Sequence, residues 1–428
     1  MGELDLSLAR VRPARTERDI ARAMEFLKTR RAEEVALGHP EERGAIRLCE
    51  VDGELVGALI LDPSPLRLRD VDVPCARILE SGGEDGRNHF RQTGDRDLFV
   101  YMVEEALGYL WFKRYPIAYV HGELALYPAH GFAPCFYHPR VYLAVNTALQ
   151  LPAPYRVRRL KTDDAEKLVE LRERNRRWKP VVFATGVPAF HHYCVEDDDR
   201  DVKGYFSLKA DPDATWTPKL FVPEVEVEDP AAARTILRHC AIEADKLGLL
   251  ETHFPLGPGH PVARVCLELG GHAEVKGAAT NPLLDEEMIH LVDPPRLVAA
   301  LAPFFERRLA SDEGRAVDTV VFVSAAAGAW RLQIKDGKVS CTTLEQWVPD
   351  CIELPRWQFT QLLAGYRGAN ELDADLSSAQ QETLGMILPK TWPYSLSDPD
   401  LWSDVAPPRP YTAAAARVVE ATALPWLA

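Results

Sequence analysis

Hydrophobic and polar residues alternate along the first third of the chain in a pattern that predicts strands and helices in turn. Two short apolar runs flank Asp52-Gly53, a dipeptide that favours the tight turn of a β-hairpin. Residues 98–114 have the spacing of an amphipathic helix, and residues 73–80 and 117–122 have the composition of strands. The order strand, helix, hairpin, strand, glycine-rich loop, helix, strand predicts an α+β fold with a mixed sheet.

The same layout restarts at Tyr155. Residues 155–175 repeat residues 10–30 as a basic strand, a threonine followed by aspartate, and a helix. Further strands at 203–209 and 220–227 precede a helix from Pro230. This second pass along the same element order indicates an internal duplication.

The pattern changes after residue 292. Residues 293–309 predict one helix with a proline start, and antiparallel strands follow, two of them joined at Asp336-Gly337. Two more helices and a Pro-rich tail after Trp402 complete the chain. We therefore predict three domains, at residues 1–150, 151–292 and 293–428.

Composition narrows the class of partner. The chain has 428 residues, of which 46% are hydrophobic and 27% charged, as in soluble globular proteins. Its net charge of −14 argues against nucleic acid or an anionic membrane as a partner. Eight scattered cysteines without a CxxC pair, and an N-terminus too polar for a signal peptide, predict a cytoplasmic protein with reduced thiols.

One tyrosine lies in an unusual setting. Tyr127 is in the segment LYPAHGFAP, in which Gly131 permits a turn and Pro128 and Pro134 limit any helix. A phenol fixed at such a turn can donate a proton at a cleft. The alternative interpretation is a packed aromatic ring whose hydroxyl bonds a backbone carbonyl.

The loop at residues 81–97 is a candidate phosphate site. It is rich in glycine and precedes a helix, whose first N–H groups bind anions well. Arg91-x-x-Gly94 supplies a cation and a flexible turn, and Arg87 and Arg96 add positive charge. The alternative is an ordinary solvated loop.

The remaining clusters favour structural roles. His191 and His192 are adjacent on a predicted strand and so point to opposite faces, which favours packing over metal binding. His253 and His260 lie in a Pro/Gly segment that predicts a surface loop, with a pocket as the alternative. No metal site is predicted. Trp392 and Trp402 are expected in a core, and Cys135 has no neighbour in sequence that would lower its pKa.

Strand 73–80, the loop, helix 98–114 and the segment from Tyr127 to Phe132 together resemble the acetyl-CoA-binding core of GCN5-related N-acetyltransferases. That family's loop has the pattern Q/R-x-x-G-x-G/A; Arg91 and Gly94 occupy its first places and Arg96 replaces its last small residue. The whole chain resembles the Eis-type (enhanced intracellular survival) acetyltransferases. These have two tandem acetyltransferase-like domains and a sterol-carrier-protein-like domain.

The resemblance implies a function and a set of roles. The first domain would bind acetyl-CoA as cosubstrate, and Tyr127 would be the general acid that protonates the departing thiolate. The base would be the terminal carboxylate of Ala428 or the side chain of Glu80, with Glu123 and His121 as further candidates. The acceptor would be a primary amine of a small cationic molecule, acetylated directly in a ternary complex, and the chain would form a homo-oligomer, a hexamer. The cofactor-binding residues implied are Leu79, Arg91, Gly94, Asp95 and Arg96.

A non-enzymatic function is the alternative. Arg96 and the long loop favour a descendant that no longer binds acetyl-CoA and instead binds an apolar or amphipathic ligand or acts as an oligomeric scaffold. The setting of Tyr127 favours the enzyme.

Overall fold

The structure is a computed structural model. It describes residues 9–27, 46–63, 65–69, 71–80, 96–123, 126–175, 191–211, 219–222, 224–257, 259–276, 285–311, 319–325, 328–346, 348 and 351–390.

The strands of these residues follow in chain order. They are β1 (Arg10–Pro13), β2 (Ile46–Val51), β3 (Glu54–Pro63), β4 (Leu66–Leu68), β5 (Val71–Val73), β6 (Cys75–Glu80), β7 (Ile117–Glu123), β8 (Phe132–Pro134), β9 (His138–Ala144), β10 (Arg156–Arg159), β11 (His191–Glu196), β12 (Val202–Asp211), β13 (Lys219–Phe221), β14 (Val225–Val227), β15 (Glu251–Phe254), β16 (His272–Lys276), β17 (Asp285–Leu291), β18 (Thr319–Ala325), β19 (Gly328–Lys335), β20 (Lys338–Leu344) and β21 (Ile352–Glu353).

The helices alternate with these strands. They are α1 (Glu17–Leu27), α2 (Arg96–Phe112), α3 (Val145–Leu149), α4 (Ala165–Asn175), α5 (Pro230–Lys246), α6 (Pro261–Glu268), α7 (Pro294–Ala300), α8 (Ala302–Ser311), α9 (Arg356–Ala364) and α10 (Ser378–Ile387), with short 3₁₀ helices at Tyr127–His130, Thr162–Asp164 and Ala369–Glu371.

Both predicted hairpin turns are confirmed. Asp52 and Gly53 join β2 to β3, and both have positive φ, at 51° and 83°. Asp336 and Gly337 join β19 to β20 with φ of 51° and 70°. Two successive positive φ angles give the turn the twist of the strands that it connects.

The predicted single helix at residues 293–309 is wrong in one respect. It is two helices, α7 and α8, that meet at Leu301. The sequence has Pro303 just after this point, and proline has no N–H to continue the hydrogen-bond ladder. A predicted strand at 220–227 is likewise two strands, β13 and β14, with Pro223 between them in the sequence.

The first sheet contains a strand from the second half of the chain. Its order is β1-β2-β3-β6-β7-β17-β8, and β17 lies antiparallel to both β7 and β8. Since β6 and β7 are parallel and the other neighbours antiparallel, the sheet is mixed, as predicted. Seven residue pairs, from Asp285↔Glu123 to Leu291↔Ile117, fix the register of β17 on β7.

The second sheet likewise contains a strand from the first half of the chain. Its order is β10-β11-β12-β13-β15-β9-β16, so that β9 of the first half lies between two strands of the second. Each half therefore completes the sheet of the other through main-chain hydrogen bonds. The domain boundaries at residues 150 and 292 stay predictions, but the segments 138–144 and 285–291 belong to sheets built mainly by the other half.

The two halves also share an ion-pair arrangement. In the first, Arg12 lies 2.7 Å from Asp19 and 2.8 Å from Glu50. In the second, Arg158 lies 2.8 Å from Asp164 and 2.6 Å from Glu196. Hydrogen bonds from the two arginines hold the pKa of both aspartates below the usual value. The repeated pattern in the sequence thus corresponds to a repeated contact of the first strand with the second strand and with an aspartate at the start of the first helical segment, in the 3₁₀ helix Thr162–Asp164 in the second half.

The C-terminal region packs against the first sheet. Its four strands have the order β20-β19-β18-β21, and its apolar side chains form one core with Tyr119, Ile289 and the residues around Cys135. The buried guanidinium of Arg69, which follows β4, donates to the carbonyl oxygens of Leu362 and Leu363 at 2.8 and 3.0 Å and to that of Pro389 at 2.8 Å. Arg69 therefore bonds carbonyls in the last turn of α9, of which that of Leu362 also accepts from the N–H of Gly365 at 3.1 Å.

We expect Arg69→Leu to lower the free energy of unfolding by about 2–4 kcal/mol, because it leaves buried carbonyl groups unsatisfied. Chemical denaturation with urea measures this change. Arg67→Leu, on the same hairpin, removes a partly exposed pair with Asp72 at 3.4 Å and should cost less than about 1 kcal/mol. Equal losses in both variants would contradict the capping role of Arg69.

Candidate active site in the first sheet

Two parallel strands in the middle of the first sheet part before they end. The pairs of β6 and β7 run from Cys75↔Ile117 to Ile78↔Val120 and are not continued among the described residues, although β6 extends to Glu80 and β7 to Glu123. The outer edges of both strands stay paired, since Glu80 is opposite Leu59 on β3 and Glu123 is opposite Asp285 on β17. Pairing with β3 on one side and with β17 on the other therefore keeps the ends of β6 and β7 apart.

We call the gap between Leu79–Glu80 and His121–Glu123 the notch. Backbone N–H and C=O groups at an open strand edge bind extended ligands by adding to the sheet. Because the notch lies between two strands, it suits a slender, extended ligand with amide groups of its own. The predicted cofactor residue Leu79 and the predicted base Glu80 end the strand that forms one of its sides.

Tyr127 lies directly beyond the notch. It begins the 3₁₀ helix that follows β7, and its ring is completely buried. Phe99 of α2 and Phe132 of β8 both contact it edge-on, with ring centroids 5.2 Å away. The ring also lies against Gly122 of β7, where an added Cβ would come within 2.3 Å of Cε2. Only glycine at position 122 leaves room for the phenol.

The hydroxyl of Tyr127 is buried and has no hydrogen-bond partner among the described residues. A buried hydroxyl without a partner costs about 1–3 kcal/mol, and native proteins rarely leave one unexplained. The ring is thus packed as in the structural interpretation, but the expected bond to a backbone carbonyl is not made within the part of the chain that the structure describes. An unpaired donor beside an open notch is what a ligand with an acceptor atom would satisfy.

A carboxylate lies on β17, the strand next to β7, on the face of the sheet opposite to Tyr127. Glu287 of β17 is in register with His121, and its Oε1 accepts a hydrogen bond from the Tyr119 hydroxyl at 2.8 Å. Side chains alternate along a strand, so Glu287 and Tyr119 lie on the face away from Gly122 and Tyr127. Glu287 is not predicted from the sequence, because nothing local indicates that β17 lies beside β7.

The other predicted site residues divide into two groups. Arg96 is the first residue of α2, and His121 and Glu123 lie on β7 where it borders the notch. Several predicted residues lie outside the described residues, so their roles stay predictions: Arg87, Arg91, Gly94, Asp95, Trp392, Trp402 and Ala428.

The strands at the corresponding place in the second sheet part in a similar way. There β13 and β15 pair as far as Phe221↔His253, and among the described residues β14 beyond them pairs with β12. A histidine and a carboxylate, His260 and Glu226, both completely buried, contact each other beside β14 at 3.4 Å. The Nδ1 of His260 accepts from the N–H of Val262 and caps α6, so the proton on Nε2 faces Glu226.

The predicted surface loop around these histidines is therefore wrong. His260 is a helix cap inside the core, and His253 is a partly buried residue of β15 whose ring stacks on Tyr142 with centroids 4.9 Å apart. The proline after His260 marks a helix start rather than a loop. At the N-terminus of α5, where an anion would bind, the side chain of Asp229 accepts from the N–H of Ala232 at 2.8 Å.

Among the described residues, the other sequence motifs show no arrangement that indicates catalysis or metal binding. Burial raises the pKa of the Cys135 thiol well above its usual value. His191 and His192 lie on β11, and their predicted packing stays a prediction. Within the described ranges no group of three or more His, Cys, Asp or Glu could hold a metal ion, and no helix there is long and apolar enough to span a bilayer.

Comparison with known proteins gives a match at the level of structure. No protein-family profile matches the sequence, and no curated protein matches it significantly. A GCN5-related N-acetyltransferase from Kribbella flavida is 18% identical with a TM-score of 0.62, over 90% of this chain and 98% of that one. One from Anabaena variabilis is 12% identical with a TM-score of 0.62, over 89% and 97%. Eis1 from Mycobacterium abscessus is 17% identical with a TM-score of 0.58, over 89% and 97%.

The fold is that of the GCN5-related N-acetyltransferases. At these identities the comparison concerns the fold alone, and it confirms the α+β architecture that the sequence resemblance implied. The matched part includes most of this chain and nearly all of each solved one. Assignment of the C-terminal region as sterol-carrier-protein-like, and of the two halves as tandem acetyltransferase domains, stays a prediction.

We expect Gly122→Ala to displace the Tyr127 ring and to lower the free energy of unfolding by about 1–3 kcal/mol through overpacking. Thermal unfolding, together with the NMR shifts of a labelled Tyr127 ring, measures both effects. Gly108→Ala on α2 is the matched control, because nothing lies within 4 Å of its added Cβ. Alanine at this helical position should stabilise the protein by about 0.5–1 kcal/mol. An unshifted Tyr127 ring in Gly122→Ala would contradict the packing described.

Proposed function

We propose that this chain is an acetyl-CoA-dependent N-acetyltransferase that acetylates the primary amine of a small cationic molecule in a ternary complex. The buried hydroxyl of Tyr127 beside the notch, which has no hydrogen-bond partner among the described residues, carries the proposal. The fold of the matched structures supports it, since proteins of this fold include N-acetyltransferases.

The notch and α2 are suited to the two ends of acetyl-CoA. The amide groups of its extended arm would bond the open edge of β6 at Leu79 and Glu80, in the manner of an added strand. Its diphosphate would lie at the N-terminus of α2, where Arg96 is the first helical residue. Arg91, Gly94 and Asp95 precede this helix in the sequence and are the remaining residues proposed for that contact.

Tyr127 would act as the general acid. Attack of the amine nitrogen on the thioester carbonyl forms the C–N bond, and the C–S bond breaks with its electron pair on sulfur. The Tyr127 hydroxyl donates its proton to that sulfur, and a thiol leaves more readily than a thiolate. The proton lost by the amine passes to a carboxylate and then to solvent, from which the phenolate regains one.

Carboxylates would receive the amine and its proton. Glu80 and the terminal carboxylate of Ala428 are the bases proposed from the sequence. The structure adds Glu287, which is partly exposed and oriented by the Tyr119 hydroxyl. A carboxylate there would bind the ammonium form of a cationic acceptor, a contact that the net charge of −14 favours at long range. A homo-oligomer, hexameric by resemblance, and a cytoplasmic location remain predictions.

Acetyl-CoA binding is the first test. We expect calorimetry to give a dissociation constant between about 1 μM and 1 mM. Tyr127→Phe should bind acetyl-CoA equally well and lower kcat for an amine acceptor by about 10²–10⁴, because the ring is kept and only the proton donor is lost. Absence of heat and of any thermal shift at millimolar acetyl-CoA would contradict the enzyme and leave the non-catalytic, ligand-binding alternative. Unchanged turnover in Tyr127→Phe would remove Tyr127 from the mechanism.

The role of Glu287 is tested by Glu287→Gln. We expect KM for a cationic amine to rise by about tenfold, the effect of losing roughly 1.4 kcal/mol, while acetyl-CoA binding stays the same. Steady-state kinetics with a polyamine as acceptor measures this. Glu274→Gln is the matched control, because Glu274 accepts from the Tyr142 hydroxyl at 3.2 Å in the second sheet. If both variants, or neither, raised KM, Glu287 would not be part of the acceptor site.

A further inference from the structure

We propose that His290 and Arg356 form a clamp that positions Tyr127 by fixing the 3₁₀ turn on which it lies. The assignment of Tyr127 as the acid rests on the proposed function, but the clamp itself is defined by contacts in the structure. His290 is on the exchanged strand β17, and Arg356 begins α9 of the C-terminal region. The clamp therefore joins all three parts of the chain at one turn.

Both nitrogens of the His290 ring are engaged. Its Nδ1 lies 2.8 Å from the carbonyl oxygen of His130, and its Nε2 lies 2.9 Å from Nη2 of Arg356. A carbonyl oxygen only accepts and a guanidinium only donates, so the proton must be on Nδ1 and the lone pair on Nε2. His290 is thus a neutral donor to the turn and a neutral acceptor for Arg356.

The surroundings hold the ring in this form. His290 is only 4% exposed. Burial in the first place, and then the charge of Arg356, keep its pKa well below the usual value. Nη2 of Arg356 also lies 3.3 Å from the carbonyl oxygen of Leu291, so the guanidinium contacts the end of β17 at two groups, the His290 ring and this carbonyl.

The clamp acts on the turn that carries Tyr127. His130 is the last residue of the 3₁₀ helix that begins at Tyr127, about 6 Å further along at 2.0 Å per residue. The turn ends at Gly131, which has a left-handed φ of 79° and donates to the carbonyl of Pro128 at 2.9 Å. The Arg356 side chain lies directly over Gly131, where an added Cβ would be 2.9 Å from Cδ and Nε.

A second route runs through the aromatic rings. The His290 ring lies against Phe132 with centroids 5.0 Å apart, and Phe132 contacts Tyr127 edge-on. Movement of His290 would therefore reach Tyr127 both through the backbone of the turn and through Phe132. Because both its nitrogens are already bonded, His290 is a positioning residue and not a proton carrier.

The first experiment uses substitutions that keep one bond at a time. An asparagine amide can reproduce the Nδ1 donor to His130 but cannot reach Arg356, whereas a glutamine amide can reach Arg356 but has no donor at the Nδ1 position. We expect His290→Asn to keep kcat within about threefold and His290→Gln and His290→Leu to lower it about tenfold or more, with acetyl-CoA binding unchanged in all three. Equal losses in the Asn and Gln variants, or a matching loss of acetyl-CoA affinity, would overturn the proposal.

The second experiment asks whether the loss passes through Tyr127. In a Tyr127→Phe background, His290→Leu should cause no further fall in kcat, because there is no acid left to misplace. A purely structural role would lower kcat by the same factor in both backgrounds, and that result would contradict the clamp. His239→Leu, a substitution of another partly buried histidine on α5, is the control and should leave kcat unchanged.

The third experiment does not depend on activity. The N–H of Gly131 reports the integrity of the turn, so its hydrogen exchange should be about tenfold faster in His290→Leu and in Arg356→Met than in the wild-type protein. Unchanged exchange in both variants would show that the clamp does not hold the turn. If exchange accelerates but the wild-type protein does not bind acetyl-CoA, the proposed function fails while the clamp stands.

Discussion

The pairing of β17 between β7 and β8 is the interaction on which the rest of the structure depends. It is a continuous ladder of main-chain hydrogen bonds, and it places side chains from residue 285 onward inside a sheet built by residues 10–134. The return exchange of β9 ties the second sheet in the same way. Since neither sheet is complete without the other half, folding of the two halves must be coupled, and the C-terminal region packs on the surface that this exchange creates.

The notch follows from the same constraint. Two parallel strands that part in mid-sheet would collapse together or fray if their outer edges were free. Here β3 holds one and β17 holds the other, so that the gap beyond Ile78 and Val120 is kept open by pairing outside it. Tyr127 lies at this gap, on a turn held by contacts between aromatic rings, and its hydroxyl has no hydrogen-bond partner within the described residues. Rigid elements around an open backbone edge can hold a proton donor in a fixed position relative to a bound ligand, as catalysis requires.

The two halves of the chain share one ion-pair arrangement but differ in the residues at the notch and at the corresponding place in the second sheet. The Arg–Asp–Glu contact at the start of each half is the same, because it joins local elements that the duplication preserved. At the corresponding place, however, the second half contains the buried contact of His260 with Glu226, whereas the first half has the Tyr127 ring against Gly122. The proposed acetyl-CoA site is in the first half.

The sequence by itself determined the local elements, the two hairpin turns, the mixed sheet and the tyrosine turn, because these depend on periodicity, on residues that adopt positive φ and on proline. The resemblance of residues 73–132 to an acetyltransferase core also predicted the fold that the comparisons confirm. Tertiary structure alone decided the exchange of β9 and β17, the burial of His260, and the placement of Glu287 and His290 beside the site. The placement of β17 and β9 depends on contacts between residues more than 100 positions apart in sequence, such as Glu287 with Tyr119, and no local pattern identifies such partners.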